Sequence, residues 1–540
     1  MESIGMGYLK RLSRFLIVIL TFSALGSTGL QLTTAHPATN ITARPAHEDH
    51  MVGDIGFRPK ANGFSFENYT NTDGIQNLNE TDMRRLFGDR VCASTADGKC
   101  ILTPPAQEYM DSTNKGMNGG HCEGMAALSL ILFFQQKEKP ADFGADTTAA
   151  LQLKDNTKLQ NEIALYFTTQ ATSPARDGEI KGKTPNDILD LLIAAMKPGE
   201  TPTETYTMGI YQPEFKGGHA ITPYAVVDKG GDKFWVMVYD NNYPGDERQI
   251  EIDRQANTWL YTASINPSEP ASEYKGDANT KTLTITATSP RLQQQVCSFC
   301  GGGDAGSAKL APALQYNQIT LDGEVAINGA QLLITDDKGN KLGYAGDKFV
   351  NDIPGAQFTP SKSAELWKDN PSPTYFIPVG TKFTVTLDGS QLKSDEPVDL
   401  TMIGPGHDIS LQGIKLSAGQ VDTVAFSPDG TQFTYKPSGN EAPNMIIGIE
   451  HNGADYEFDL KGTDVDKGGS VTVSLDYTKG QLLVHPVDTK NPTKFDLTIN
   501  KIDDKGETTF TKQGISVDPD KGLYIDFTKA SATDIPTEAQ

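Results

Sequence analysis

From residue 313 to the C-terminus the chain has almost no helical period. It runs instead as short alternations of apolar and polar residues, among them Gln331 to Thr335, Lys382 to Leu387, Val471 to Leu475 and Lys494 to Ile499. Turns of one chemistry separate them: Asp337-Lys338-Gly339, Asp429-Gly430 and Asp504-Lys505-Gly506. A period of two places one face of each strand on a core, and glycine supplies the positive φ that such turns need. Closely spaced strands of this kind predict all-β sandwiches, and the length suits two in succession, 313–415 and 416–540.

The preceding part reads differently. Met125 to Phe134 is a continuous apolar run after a glycine-rich turn, a helix expected to be wholly buried. Further helices are expected within Ala149 to Phe167 and from Pro185 to Met196, where Thr184 caps and Pro185 takes the first turn. Strands follow at His219 to Val227 and Phe234 to Tyr239, joined by the glycine-bearing turn Asp228 to Asp232. Helices first and an antiparallel sheet after predict an α+β domain over 66–265. A Ser-, Thr- and Gly-rich linker with a Cys-x-x-Cys element is expected over 266–312.

Lys10, Arg11 and Arg14 precede the apolar run Phe15 to Leu25, and Thr33-Thr34-Ala35 offers a cleavage site. This is the order of a secretory signal peptide over 1–35, with an uncleaved N-terminal anchor as the alternative reading. Residues 36–65, rich in Pro, Thr and Asn, read as a flexible lead. No other run reaches the ~18 apolar residues a span requires, so the mature chain is expected to be secreted or cell-surface, with no membrane span. Asp and Glu (69) outnumber Lys and Arg (47), a net charge of −22, which argues against a nucleic-acid partner. Acidic turns such as Asp464-Val465-Asp466 lack EF-hand spacing and read as solvated turns.

The most informative stretch is Gly119-Gly120-His121-Cys122-Glu123-Gly124-Met125, which stands a cysteine at the start of the buried helix. A helix N-terminus presents free N–H groups and partial positive charge, which favour a thiolate and a developing oxyanion. Downstream, Gly217-Gly218-His219-Ala220 opens a strand with a histidine, and the next strand ends in Asp240-Asn241. Nucleophilic thiol catalysis needs these three parts: a thiolate to attack a carbonyl, an imidazole to move the proton, and a third group to orient the ring. Asp240 and Asn241 point to opposite faces, so one of the two serves, and Asp240 follows the apolar strand directly. His121 and Glu123 are candidates for the cleft. Glu123 lies in the first helical turn, where a carboxylate complements the dipole.

At these residues the chain resembles the papain-like cysteine peptidase superfamily, taken broadly to include transglutaminase-like and bacteriocin-processing relatives. The resemblance covers about 66–261. It implies a papain-like N-terminal domain with Cys122 as nucleophile, His219 as base and Asp240 or Asn241 as the orienting residue. Papain carries an oxyanion glutamine six residues before its cysteine, and here that position is Gly116. Asn118 or Asn114, or the backbone N–H of Cys122, is the candidate replacement.

Five cysteines are an odd number. In an exported chain the economical scheme is two local disulfides, Cys92–Cys100 and Cys297–Cys300, which leaves Cys122 as the free thiol. A zinc site built from both pairs is the rival, disfavoured by the long spacing of the first. The sequence therefore predicts an exported thiol hydrolase, a monomer without metal or cofactor, acting on peptide or peptidoglycan-like amides through an acyl-enzyme. Acyl transfer as in transglutaminases uses the same triad. Other readings are a non-enzymatic surface-binding protein on a papain-like scaffold, and a carbohydrate module using Trp367, Tyr344, Tyr375 and Tyr456.

Overall fold

The strand His219–Gly230 is the spine of the first half. It pairs antiparallel with Lys233–Tyr239 along most of its length, with Tyr206–Ile210 at its start and with His50–Asp54 at its end. Gly230, Gly231 and Asp232 take positive φ in the turn that joins it to its partner, where glycine meets no Cβ penalty. In this computed structural model the described residues are 49–539, apart from 73, 96–97, 264–271, 302–314, 324–329, 363–371, 394, 452 and 532–533. The expected signal peptide and Trp367 lie outside them. Strand outweighs helix, 42% against 20%, and every α-helix among the described residues precedes Met196.

The spine belongs to a nine-stranded sheet ordered Ser272–Asp277, Thr258–Ala263, Arg248–Asp253, Lys233–Tyr239, His219–Gly230, Tyr206–Ile210, Leu283–Ala287 and Glu179–Ile180, with His50–Asp54 added on the spine. Two expected boundaries change as a result. Residues 50–64 do not form a flexible lead, because they carry that added strand and bury Phe57 and Phe64. Nor is 266–312 a linker throughout: Leu283–Ala287 pairs with Tyr206–Ile210 inside the sheet, and Arg291 beyond it is buried. In both segments polar composition hides a few apolar anchors whose partners are distant in sequence.

The helix Cys122–Phe134 packs against the spine and against the helix Thr157–Thr168. Its residues Cys122 to Leu132 are buried, as expected for an apolar run with no polar face. Thr184 caps Pro185–Ala195 by accepting from the N–H of Asp187, whose side chain returns the bond. The helix Pro104–Gly116 was not anticipated, because polar residues dominate its sequence. It docks the sandwich: Ser112 Oγ donates to Asp322 at 2.9 Å, Lys115 pairs with Asp399 at 2.9 Å, and Thr401 donates to Glu108 at 3.0 Å.

The second half is one sandwich, not two in succession. Its nine-stranded and ten-stranded sheets each draw strands from both sides of position 416. The strand His407–Leu416 pairs with Asn444–His451, and Phe383–Asp388 pairs with Val421–Phe426. A single hydrophobic core runs from Ile319 to Ile535. Successive hairpins switch between the sheets, so neither 313–415 nor 416–540 closes a core alone. Tyr344, Tyr375 and Tyr456 are buried, so none offers a ring face to a sugar.

Candidate active site

Both expected disulfides are present, Cys92–Cys100 and Cys297–Cys300, and Cys122 is the free cysteine. The first staples the ends of the small hairpin Cys92–Ser94 and Ile101–Leu102. The second turns Phe299 onto Phe87 and Tyr109.

Cys122 is the first residue of its helix, where the leading N–H groups have no partner within the helix. Beside it, His219 opens the spine strand, with Cys122 and Ala220 packed in one small cluster. His219 Nε2 lies 2.8 Å from Asp240 Oδ1, and its Nδ1 has no hydrogen-bond partner. Asp240 is held in turn: Oδ1 accepts from the N–H of Asn242 at 2.9 Å and Oδ2 from the Tyr261 hydroxyl at 2.6 Å. Burial alone would depress the imidazole, but the Asp240 carboxylate and then the Cys122 sulfur outweigh it and push His219 up to about 10. Burial would raise Asp240, yet the charge and hydrogen bond of His219 hold it below the usual carboxylate range.

Asn241 does not reach the imidazole. Its Nδ2 donates to the carbonyls of Cys122 and Ala220, both at 3.0 Å, and so ties the helix start to the spine strand. Just past the end of the strand Lys233–Tyr239, Asp240 turns to the histidine and Asn241 to the backbone behind it.

Other candidates fall elsewhere. Asn118 is exposed on the turn Met117–Gly119 while Cys122 is wholly buried, so it is not placed to serve an oxyanion at that sulfur. Asn114 is occupied with both backbone groups of Leu78. That leaves the unpaired N–H groups of the helix start. His121 lines no cleft: its ring is buried, stacked on Tyr69 at 4.0 Å, with Nδ1 on the Tyr69 carbonyl and Nε2 on Asn77. Burial depresses it to about 4, against a smaller opposing effect of the Tyr69 carbonyl. Glu123 lies in the first helical turn, as expected, and like His121 it lines no open cleft. It is fully buried and paired with Arg291, which also bonds Thr207 at 2.9 Å and Thr169 at 2.7 Å.

Three participants escaped sequence reasoning: Tyr261, Arg291 and Lys362. The Cys122 thiol donates to the backbone carbonyl of Lys362, 2.7 Å away, across 240 residues of sequence. Lys362 belongs to the sandwich, in the connection between the strands Gln357–Thr359 and Thr374–Pro378. A single lysine in a polar stretch carries no sequence signal for such a position. No family model, curated protein or solved structure matches the chain, and the functional reading therefore stands on this geometry.

Proposed function

We propose that the protein is a thiol hydrolase of papain-like type, working outside the cytoplasm on peptide or peptidoglycan-like amides. The observation that carries the reading is the buried His219–Asp240 pair, 2.8 Å apart, beside the free Cys122 at a helix N-terminus. Two disulfides accord with an oxidising compartment.

The chemistry follows from the parts. Cys122 gives its proton to His219 and its sulfur attacks the amide carbonyl. Negative charge gathers on the carbonyl oxygen, which the helix-start N–H groups stabilise. The C–N bond breaks as His219 delivers the proton to the leaving amine, leaving a thioester on Cys122. His219 then deprotonates a water, which releases the acid and restores the thiol. Asp240 keeps Nε2 occupied, so Nδ1 is the nitrogen that serves the sulfur. Tyr261 and the N–H of Asn242 position Asp240.

A second reading, a binding protein on a retired thiol site, draws on the complete burial of Cys122 and near-complete burial of His219. Cleavage of peptide and muropeptide amides by the wild type and by Cys122→Ala separates the two. Hydrolysis lost with Cys122→Ala supports the enzyme. Equal rates from both proteins, or iodoacetamide labelling of Cys122 no faster in native than in denatured protein together with no turnover, would favour the scaffold.

A further inference from the structure

Lys362 is only 1% exposed, an unusual state for an ammonium on a connecting segment. Taking that charge out of water is costly unless partners replace the solvent. The partners are present: Nζ lies 3.3 Å from Glu179 Oε1, 3.3 Å from Thr286 Oγ1 and 3.7 Å from Glu123 Oε2. Thr286 accepts a hydrogen bond from the ammonium, and the two carboxylates act as its charge partners. Glu123 Oε2 has no hydrogen-bond partner and its nearest cation is this ammonium, while Glu179 Oε1 faces Lys362 and its Oε2 faces Lys181 at 3.8 Å. Arg291 neutralises Glu123 from the other side, and Glu179, which also faces Lys181, is the carboxylate nearer to Lys362.

The segment's backbone is seated as well. The N–H of Lys362 donates to Gln170 Oε1 at 3.2 Å, while its carbonyl receives the Cys122 thiol. Two glycines make the room. A Cβ on Gly218, the residue before the catalytic-type histidine, would collide with the carbonyl oxygen of Ser361. One on Gly209 would stand 2.9 Å from Cε of Lys362. Glycine inside a strand weakens it and marks the close approach of other groups, and in Tyr206–Ile210 these are the Thr284 hydroxyl and the lysine stem.

Resting on the thiol-hydrolase reading, we propose that this is the substrate's own pocket. The site takes peptides with lysine on the acyl side of the bond to be cut, and in this chain the place is held by residues 360–362, with Lys362 as resident occupant. Glu179, Glu123 and Thr286 select the ammonium. Gly209 admits the stem, Gly218 and Gln170 hold the backbone, and the carbonyl next to the bond is presented to Cys122. The segment keeps the centre closed until it is displaced.

The test uses the full chain carrying Lys362→Ala, which empties the pocket, with Lys362→Met as a second variant that keeps the stem and loses only the charge. Each is assayed on fluorogenic peptide amides that differ at one position: lysine, its uncharged isostere norleucine, or glutamate. The expected results are lysine preferred over norleucine in kcat/KM by roughly a hundredfold, most of that preference lost on adding Glu179→Gln, and faster iodoacetamide labelling of Cys122 than in the wild type. Cys122-dependent hydrolysis with norleucine cut as well as lysine would overturn the lysine pocket and leave the thiol hydrolase standing. Labelling unchanged in both variants would overturn the resident role of Lys362. No Cys122-dependent turnover of any amide would sink the hydrolase reading and the lysine pocket with it.

Discussion

Nε2 of His219 and Oδ1 of Asp240 stand 2.8 Å apart with both side chains closed off from solvent. A buried carboxylate on one ring nitrogen fixes which nitrogen remains for the sulfur and favours the charged imidazole. Asp240→Asn keeps the shape and removes the charge. Turnover of a good substrate is expected to fall by roughly 10³ to 10⁴. With His219 raised to about 10, the alkaline limb of kcat/KM belongs near there in the wild type. In Asp240→Asn it moves toward neutral pH, which a pH–rate profile reads directly.

Asn241 is expected to behave differently from its neighbour. Asn241→Ala removes two hydrogen bonds and leaves the buried carbonyls of Cys122 and Ala220 without that donor, a cost of about 2 to 4 kcal/mol in stability. Urea unfolding should show that loss, while the pH–rate profile keeps its alkaline limb. A shifted limb with unchanged stability would transfer the orienting role from Asp240 to Asn241.

His121 makes stability depend on pH on the acid side. Its folded-state value, about 4, lies below the ordinary 6.5, so its contribution is complete above 6.5 and is lost as pH falls toward 4, where only the unfolded chain takes the proton. The loss is about 3 kcal/mol across that window. His219 has the opposite sign: its contribution is complete below 6.5 and declines as pH rises through about 10. Unfolding free energies of the wild type and His121→Gln, measured from pH 7 to 4, should converge as pH falls. Parallel curves would show that His121 is not the source of the acid-side loss.

Gly218→Ala places a methyl where the Ser361 carbonyl lies. The segment 360–362 is expected to lift, and iodoacetamide should label Cys122 faster than in the wild type by roughly tenfold or more, the ratio set by how rarely the wild-type segment opens. An unchanged labelling rate would mean that the segment does not limit access to the sulfur.

The peptide bond that follows Lys362 starts from the carbonyl that accepts the Cys122 thiol's hydrogen bond, and its oxygen, not its carbon, faces the sulfur. Once the carbonyl turns, attack by Cys122 forms the thioester to Lys362 and breaks the C–N bond. The proton passes through His219 to the Ser363 amine, and water then frees the Lys362 carboxylate. Prolonged incubation should produce a fragment beginning at Ser363 in the wild type and none in Cys122→Ala. The halves should stay together under native conditions, since strands from both share one core. Mass spectrometry that finds only intact chain would make the segment an inhibitor and not a substrate.

What the sequence determined by itself was local. The apolar run after Cys122 had no polar face to give solvent, so a buried helix was its only outcome, and Thr184-Pro185 carried its own cap. Alternation with Asp-Gly turns dictated strands throughout the second half. The odd cysteine was legible because the other four pair over short separations. Tertiary structure decided everything that depends on distant partners. Which of Asp240 and Asn241 meets His219 follows from how the chain leaves the strand Lys233–Tyr239 beside the start of the spine. Whether the second half closes one core or two follows from strands crossing between sheets, which periodicity does not encode. Lys362 is the extreme case: a lysine in a polar connection is ordinary by composition, and its carbonyl meets the sulfur because the sandwich packs on the first half, where burial places its ammonium against Glu179 and Glu123.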